Sequence, residues 1–398
     1  MRALSLVPLG LSILIAAACG GSESAAPSAP PAGTAGSSQG GAGGAAQAGS
    51  SQAGSSQAGS SQAGSSQAGA AGAGPVSTTV FDDVRITSNS AGPNFQRADA
   101  SIDFGAAPLA KATFIVDLRS TCFPFEQWKT SPPPSWQSWP AECDAFDRNF
   151  ELTLDEPADA GGPPAFEVMR AITPFGGPLH LEIDVTDLAN ARPGVHAARV
   201  HISTWSDGAG KVSGSNGGWN VTTKLVLEPG VPPRQVIAAI PLVNKSHGAA
   251  DPFGEVEFEL PAGTKSARID YRVTGHGGPN TDTGCIGPAE EFCKRTHKLF
   301  ADGVERDNVQ PWRSDCKTLC TKASDPMFQT YCAENPCGAV QSVEAPRANW
   351  CPGSLTPPIS FAAEEHQKPG KHSFRYEISR LKDGGSWRTS AVVFAYGG

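Results

Sequence analysis

Apolar and polar positions alternate with a period of two along much of residues 78–398, and helical periodicity is scarce. In Leu179-His180-Leu181-Glu182-Ile183-Asp184-Val185 the apolar side chains fall on one face and the polar ones on the other, as in a half-buried strand. Phe374, Tyr376 and Ile378 likewise oppose Arg375, Glu377 and Ser379. Short runs at 79–81, 112–118, 146–154, 179–188, 196–205 and 219–227 are bounded by Gly, Pro, Asn or Asp. About eight strands in such a stretch imply a β-sandwich or jelly roll. The break Glu228-Pro229-Gly230-Val231-Pro232-Pro233-Arg234 precedes a second series at 235–243, 255–260, 267–274, 359–361, 373–378 and 389–396. Two all-β domains are expected, over 78–230 and 231–398. Between 301 and 352 the pattern dissolves into a long cysteine-rich loop. Loops of that length in a compact domain are usually functional or cross-linked.

The N-terminal residues 1–77 carry a different signal. An apolar run at 3–18 ends Ala16-Ala17-Ala18-Cys19, which reads as a signal peptide. It is short for a membrane span, which needs about 20 apolar residues. Small residues before Cys19 resemble the lipobox of bacterial lipoproteins, which implies lipidation of Cys19 and an exported, membrane-anchored protein at the bacterial surface or periplasm. Residues 20–77 are mostly Gly, Ala, Ser, Pro and Gln, with GSSQA in tandem at 49–68. Such a segment has no apolar mass to offset the entropy of ordering, so a disordered linker with a reach of about 40 Å is expected.

A net charge of -8 and the absence of a Lys/Arg block exclude nucleic acid and a basic membrane-binding face as partners. The lipid anchor is thus the one expected membrane contact, and a monomer is expected. The ten cysteines of this exported chain read as disulfides. Cys122 and Cys143 bracket a Pro/Trp-rich excursion whose closure would stabilise by roughly 3 kcal/mol. Cys285 and Cys293 bracket GPAEEF. Cys316, Cys320, Cys332, Cys337 and Cys351 remain. Cys316 and Cys351 are expected among the bridged thiols, while the pairing of Cys320, Cys332 and Cys337 stays open. If Cys19 is lipidated, an odd number of thiols remains, and at least one is free or paired with another chain.

Candidate chemistry concentrates in residues 272–297, RVTGHGGPNTDTGCIGPAEEFCKRTH, where a strand runs into a glycine-rich turn and Glu290, Glu291, Arg295 and His297 flank Cys293. A second carboxylate stands in Cys143-Asp144-Ala145-Phe146-Asp147-Arg148. These segments, with Arg170-Ala171-Ile172-Thr173-Pro174, residues 181–187, Thr204-Trp205, Thr274-Gly275, Phe292-Cys293-Lys294-Arg295-Thr296-His297 and Arg347-Ala348-Asn349-Trp350-Cys351-Pro352-Gly353, resemble the peptide:N-glycosidase F family in the same order along the chain. The resemblance implies two eight-stranded antiparallel jelly rolls packed side by side with the active site between them. It also implies hydrolysis of the amide bond joining an asparagine side chain to an N-linked glycan, on glycoproteins or glycopeptides, without metal or cofactor.

By the same resemblance Asp147, Glu291 and Arg347 are the catalytic set, and Arg148, Ser203, Trp205 and His276 are expected to bind substrate. The residue types suit the reaction. Water attack on an amide needs a base, a donor to the carbonyl oxygen, and groups that hold the sugar. Asp147 is the candidate base, and contact with Arg148 would favour its ionised form. Arg347 or Arg148 supplies the donor, and Glu291 accepts from sugar hydroxyls. Two departures stand out. Where the family carries a third glutamate, this chain has Ser203, on the strand face expected to hold His201, Trp205 and Asp207. His276, expected at a turn where it stacks on sugar, replaces a tryptophan. The loop between Cys285 and Cys293 is also longer than its counterpart, so Glu291 is chosen over Glu290 by its distance from Cys293. Among Trp136, Trp139, Trp205, Trp312 and Trp350, Trp205 is the expected aromatic wall. The histidines show no metal spacing, since His196 and His201 point to opposite faces of one strand. Loss of the glutamate leaves one alternative, a non-catalytic glycan-binding surface protein of the same architecture.

Overall fold

The computed structural model describes residues 74–398, apart from 107, 136, 160–161, 207–213, 279–281, 283 and 327–328. The expected signal peptide, Cys19 and most of the linker lie outside the described residues, as do Trp136 and Asp207. The first strand begins at Val76, just inside the segment expected to be linker.

The chain is all-β with antiparallel sheets and few helical turns. Its first strands are β1 (Val76–Thr87), β2 (Arg97–Asp103), β3 (Leu109–Arg119) and β4 (Asn149–Leu154). After them come β5 (Phe166–Ile172), β6 (Leu179–Asp184), β7 (Val195–Ile202) and β8 (Gly218–Pro229). The next group is β9 (Val236–Gly248), β10 (Phe253–Leu260), β11 (Ser266–Gly277), β12 (His297–Ala301) and β13 (Val304–Val309). A hairpin of β14 (Lys322–Asp325) and β15 (Gln329–Cys332) precedes β16 (Ser354–Leu355), β17 (Ile359–Phe361), β18 (Gly370–Ile378) and β19 (Gly385–Tyr396).

One sheet has the order β1-β8-β3-β6 and a second β16-β5-β4-β7-β2. Inward side chains of both, among them Phe114, Val116, Phe150, Leu152, Val200 and Trp219, form one apolar core. The later strands make sheets β17-β11-β19-β9 and β10-β18-β12-β13 around a second core that includes Ile269, Tyr271, Leu299, Phe374, Trp387 and Val393.

Between the two cores lies a buried charged layer. Glu167 grips Arg170 through two 2.7 Å bonds, Arg170 Nη1 donates to Thr274 Oγ1 (3.1 Å) and to the Arg388 carbonyl (2.8 Å), and Arg272 Nη1 donates to the Glu167 carbonyl (2.9 Å). Arg388 makes two 2.8 Å bonds to Glu151. These contacts fix the second strand group against β4 and β5, while β16 extends the first group's sheet by pairing with β5.

Two local expectations are corrected. Residues 186–188, expected to continue a strand, open a short helix, α1 (Thr186–Ala191), because the Asp184 carboxylate accepts from the Thr186 backbone N–H (2.8 Å) just as the alternation ends. The segment 301–352 is not patternless. It holds β13, β14, β15 and a short helix, α2 (Val340–Glu344). β13 is an edge strand with mostly exposed residues, Val304-Glu305-Arg306-Asp307-Asn308-Val309, so it has no apolar stripe to betray it.

Candidate active site

Asp147 lies two residues before β4 in a segment pinned from several sides. The Cys122–Cys143 disulfide holds its start. The Arg148 N–H donates to Thr173 Oγ1 and the Thr173 N–H to the Arg148 carbonyl, both at 2.8 Å. The Arg148 side chain turns away from Asp147. Its Nε reaches Asp144 Oδ1 at 3.1 Å in a buried ion pair, and its guanidinium lies over the rings of Phe146 (5.0 Å) and Trp205 (5.9 Å). The expected pairing of Asp147 with Arg148 is therefore replaced. Among the described residues the cation beside Asp147 is Arg347, with Nη2 3.8 Å from Asp147 Oδ2.

Arg347 is itself held rigidly. It forms an isolated bridge with Arg313 (N–H to carbonyl 3.0 and 2.8 Å), and its guanidinium is sandwiched between Phe292 (4.8 Å) and Trp350 (4.7 Å). Phe292 closes the 3-10 turn Glu290–Phe292, which the Cys285–Cys293 disulfide staples. Within that turn the two glutamates have different work. Glu290 is fully buried and receives Arg295 at 2.7 Å on each oxygen and Trp387 Nε1 at 2.9 Å. Glu291 is only half buried, and its carbonyl accepts from the Ala348 N–H at 2.7 Å. The turn and the Arg347 loop are thus one unit, which Arg347 brings against Asp147.

Several polar atoms around Asp147 are buried yet make no hydrogen bond among the described residues: Arg148 Nη2, Asn149 Oδ1, Ser203 Oγ, and Nε and Nη1 of Arg347. Leaving such a group unpaired costs about 1–3 kcal/mol. Five of them lie on Arg148, Asn149, Ser203 and Arg347, around Asp147.

Ser203 and Trp205 do not share a strand face, because β7 ends at Ile202. They belong to the segment leaving it. The Ser203 N–H donates to the Asn149 carbonyl at 3.1 Å, which keeps the serine beside the Asp147 segment, and Trp205 is 36% exposed against Arg148. His276 departs further from expectation. It sits inside β11, buried, stacked on Trp350 at 5.5 Å with Nε2 2.8 Å from Thr274 Oγ1. Burial first, and then the positive charge of Arg170, push its pKa down to about 3. It backs the Trp350 wall as a neutral ring and presents no face to a sugar.

The buried charged layer between the cores went unread in the sequence. Burial alone would raise the Glu151 carboxyl, but the Arg388 charge and hydrogen bonds outweigh it and hold the pKa at about 2. Opposite Glu151 on β7 stands His201, whose pKa burial lowers. The one available signal was the pair Glu167 and Arg170, three apart in an otherwise apolar run, Phe166-Glu167-Val168-Met169-Arg170-Ala171-Ile172.

The thiols resolve as Cys122–Cys143, Cys285–Cys293, Cys316–Cys351 and Cys320–Cys332, leaving Cys337 free and buried among the described residues. Trp350 is buried and Trp139 and Trp312 are partly so, which leaves Trp205 as the exposed aromatic among the described members of the set. No helix among the described residues is long and apolar enough to cross a membrane, which does not bear on β-barrels.

Residues 245–396 match the family model described as peptide-N-glycosidase F, C terminal. Over 261 residues the chain is 24% identical to the peptide-N(4)-(N-acetyl-beta-D-glucosaminyl)asparagine amidase F of Elizabethkingia miricola, covering 61% of this chain and 66% of that one. The fold resembles the solved structure of PNGF-II (TM-score 0.60, 19% identity, 81% of this chain and 65% of that one). It also resembles PNGase F from Flavobacterium meningosepticum (TM-score 0.58, 20% identity, 81% and 96%). The chain thus spans about two thirds of the length of the curated relative.

Proposed function

Since the chain belongs to the peptide-N-glycosidase F family, we propose that it is an amidase that releases N-linked glycans from glycoproteins or glycopeptides and leaves aspartate in place of asparagine. The observation that carries this reading is the approach of Asp147 and Arg347, 3.8 Å apart although they lie on different strand groups, with unpaired buried donors on the arginine. In the proposed reaction a water attacks the carbonyl carbon of the asparagine side-chain amide and gives its proton to Asp147. Negative charge gathers on the carbonyl oxygen, where Nε and Nη1 of Arg347 donate to it in a site closed to water. The C–N bond then breaks, the proton passes to nitrogen, and the glycan leaves as a glycosylamine. Glu291 accepts from hydroxyls of the first sugar, and Trp205 packs against the sugar's apolar face.

Ser203 Oγ and Asn149 Oδ1, both buried without hydrogen bonds among the described residues, offer polar contacts to the substrate in the region where the family places a further glutamate. Arg148 acts from behind, through Asp144, Phe146 and Trp205. The strand groups that meet at the cleft are read as two jelly-roll domains, 78–230 and 231–398, in a monomer. Four disulfides fit an oxidising compartment outside the cytoplasm, and Cys19 is proposed as the lipid attachment point. The test is to incubate the protein with denatured N-glycoproteins bearing several glycan types. Asparagine-to-aspartate conversion at glycosylated sites is expected. Retention on a glycan array without turnover would favour a glycan-binding protein instead.

A further inference from the structure

At the end of β12 remote from Glu291, three side chains from separate parts of the chain come together. Asp302 follows β12 at the turn into β13, His366 lies in the 3-10 turn Glu365–Gln367, and His372 lies on β18. One ring nitrogen from each histidine and a carboxylate oxygen all lie within 4.8 Å of one another. His372 Nδ1 is 2.9 Å from Asp302 Oδ2, and His366 Nε2 is 3.8 Å from Asp302 Oδ1.

The hydrogen bonds around the rings set their tautomers. His372 Nε2 faces the Lys368 carbonyl at 2.9 Å and His366 Nε2 faces the Ser373 carbonyl at 3.1 Å, so each Nε2 carries the proton and donates it to backbone. In the neutral ring, Nδ1 of His372 then directs a lone pair at a carboxylate oxygen in hydrogen-bonding range. Two lone pairs at that distance require a positive charge between or beside them. Nδ1 of His366, a residue only 1% exposed, makes no hydrogen bond among the described residues. His372, with Nε2 anchored to a carbonyl and Nδ1 turned to the carboxylate, has the usual setting of a metal-ligating histidine, whereas the His366 nitrogen nearest Asp302 is Nε2, so this ring ligates once its proton has moved to Nδ1 and Nε2 has left the Ser373 carbonyl. Asp302 is oriented in turn, because its Oδ1 accepts from the Ser373 N–H at 2.7 Å. Phe258 walls the group, 5.2 Å from the His366 ring and 5.9 Å from the His372 ring.

We propose that Asp302, His366 and His372 bind one zinc ion, which ties the β12–β13 turn to β18 and to the 3-10 turn behind it. Two imidazoles and a carboxylate are a borderline donor set that suits zinc, an ion without geometric preference of its own. The spacing hides this site from a sequence reading, since Asp302 is far from the two histidines along the chain. The role is structural, because the ion sits away from Asp147 and Arg347, and a ligand that binds only the folded state raises its stability by mass action.

The test uses the full chain, stripped with EDTA and desalted. Calorimetric titration with zinc chloride is expected to give a one-site isotherm, and zinc is expected to raise Tm by a few degrees, reversed by EDTA. Cobalt(II) in place of zinc is expected to show visible d–d absorption. Asp302→Asn and His372→Gln are each expected to weaken binding by at least about tenfold and to abolish the cobalt bands, the folding of each checked by circular dichroism in EDTA. His366→Gln is the third variant, its folding checked by circular dichroism in EDTA. Absence of saturable zinc binding by the parent would overturn the proposal. So would unchanged affinity in the Asp302→Asn/His372→Gln double variant, which would assign the zinc to other side chains.

Discussion

Replacing Arg347 by lysine keeps the charge beside Asp147 but removes the planar guanidinium. Arg347 lies between Phe292 and Trp350 with its carbon 4.8 and 4.7 Å from the ring centroids, is 1% exposed, and holds Nε and Nη1 without a protein partner among the described residues. A lysine ammonium cannot stack on both rings, and it offers one donor centre in place of the fork. Desolvated cation–π contacts are worth about 2 kcal/mol, so Tm should fall by roughly 2–8 °C. Losing one preorganised donor to the developing oxyanion costs about 10²–10³ in rate. The Arg347→Lys variant is therefore expected to lose about that factor in kcat/KM on an N-glycopeptide, followed by mass spectrometry of the Asn-to-Asp product, with most of the loss in kcat. A variant with lowered Tm but kcat/KM within about threefold of the parent would refute the donor role and leave Arg347 as a packing residue.

Acid should destabilise the fold steeply. The His276 and His297 pKa values are held near 3 by burial, against about 6.5 unfolded. The unfolded chain therefore takes up two protons that the native chain refuses as pH falls from about 6.5 towards 3, and stability drops by up to about 2.7 kcal/mol per pH unit in that window. Urea unfolding from pH 7.5 to 5 measures this, and a flat midpoint would contradict it. Glu151, at about 2, adds a loss in the same direction below about pH 4.5. Breaking the buried Glu151–Arg388 pair with Glu151→Gln should cost about 3–5 kcal/mol, and the double change Glu151→Leu/Arg388→Met should recover most of it. Denaturant melts of the single and double variants decide whether the two residues act as a pair. The Cys337 thiol, buried with its pKa raised by burial, is expected to resist thiol reagents in the native protein and to label on unfolding, and rapid native labelling would show that this region opens.

What the sequence made legible follows from where each residue sits. Strands with one wet face, such as β6 and β18, announce themselves by alternation. β5 is buried along its whole length and carries Glu167 and Arg170 into the layer between the cores, so its pattern is not that of a half-buried strand. β13, exposed along an edge, has no apolar face to display. At the site, distance from Cys293 could rank Glu291 above Glu290 but could not show that Glu290 is occupied by Arg295 and Trp387. Arg148 and His276 misled because charge and ring type say nothing of direction. Asp144, four residues from Arg148, captured the guanidinium, and β11 ran on far enough to draw His276 inside.

The central claim is that Asp147 activates water against the asparagine side-chain amide. The most direct measurement is digestion of an N-glycopeptide in ¹⁸O-labelled water by the parent and by Asp147→Asn. The parent is expected to release glycan and place one ¹⁸O in the new aspartate, while the isosteric variant folds, binds glycopeptide and forms no labelled product. Glycan release by Asp147→Asn at the parental rate, or no release by the parent from any glycan type, would contradict the claim.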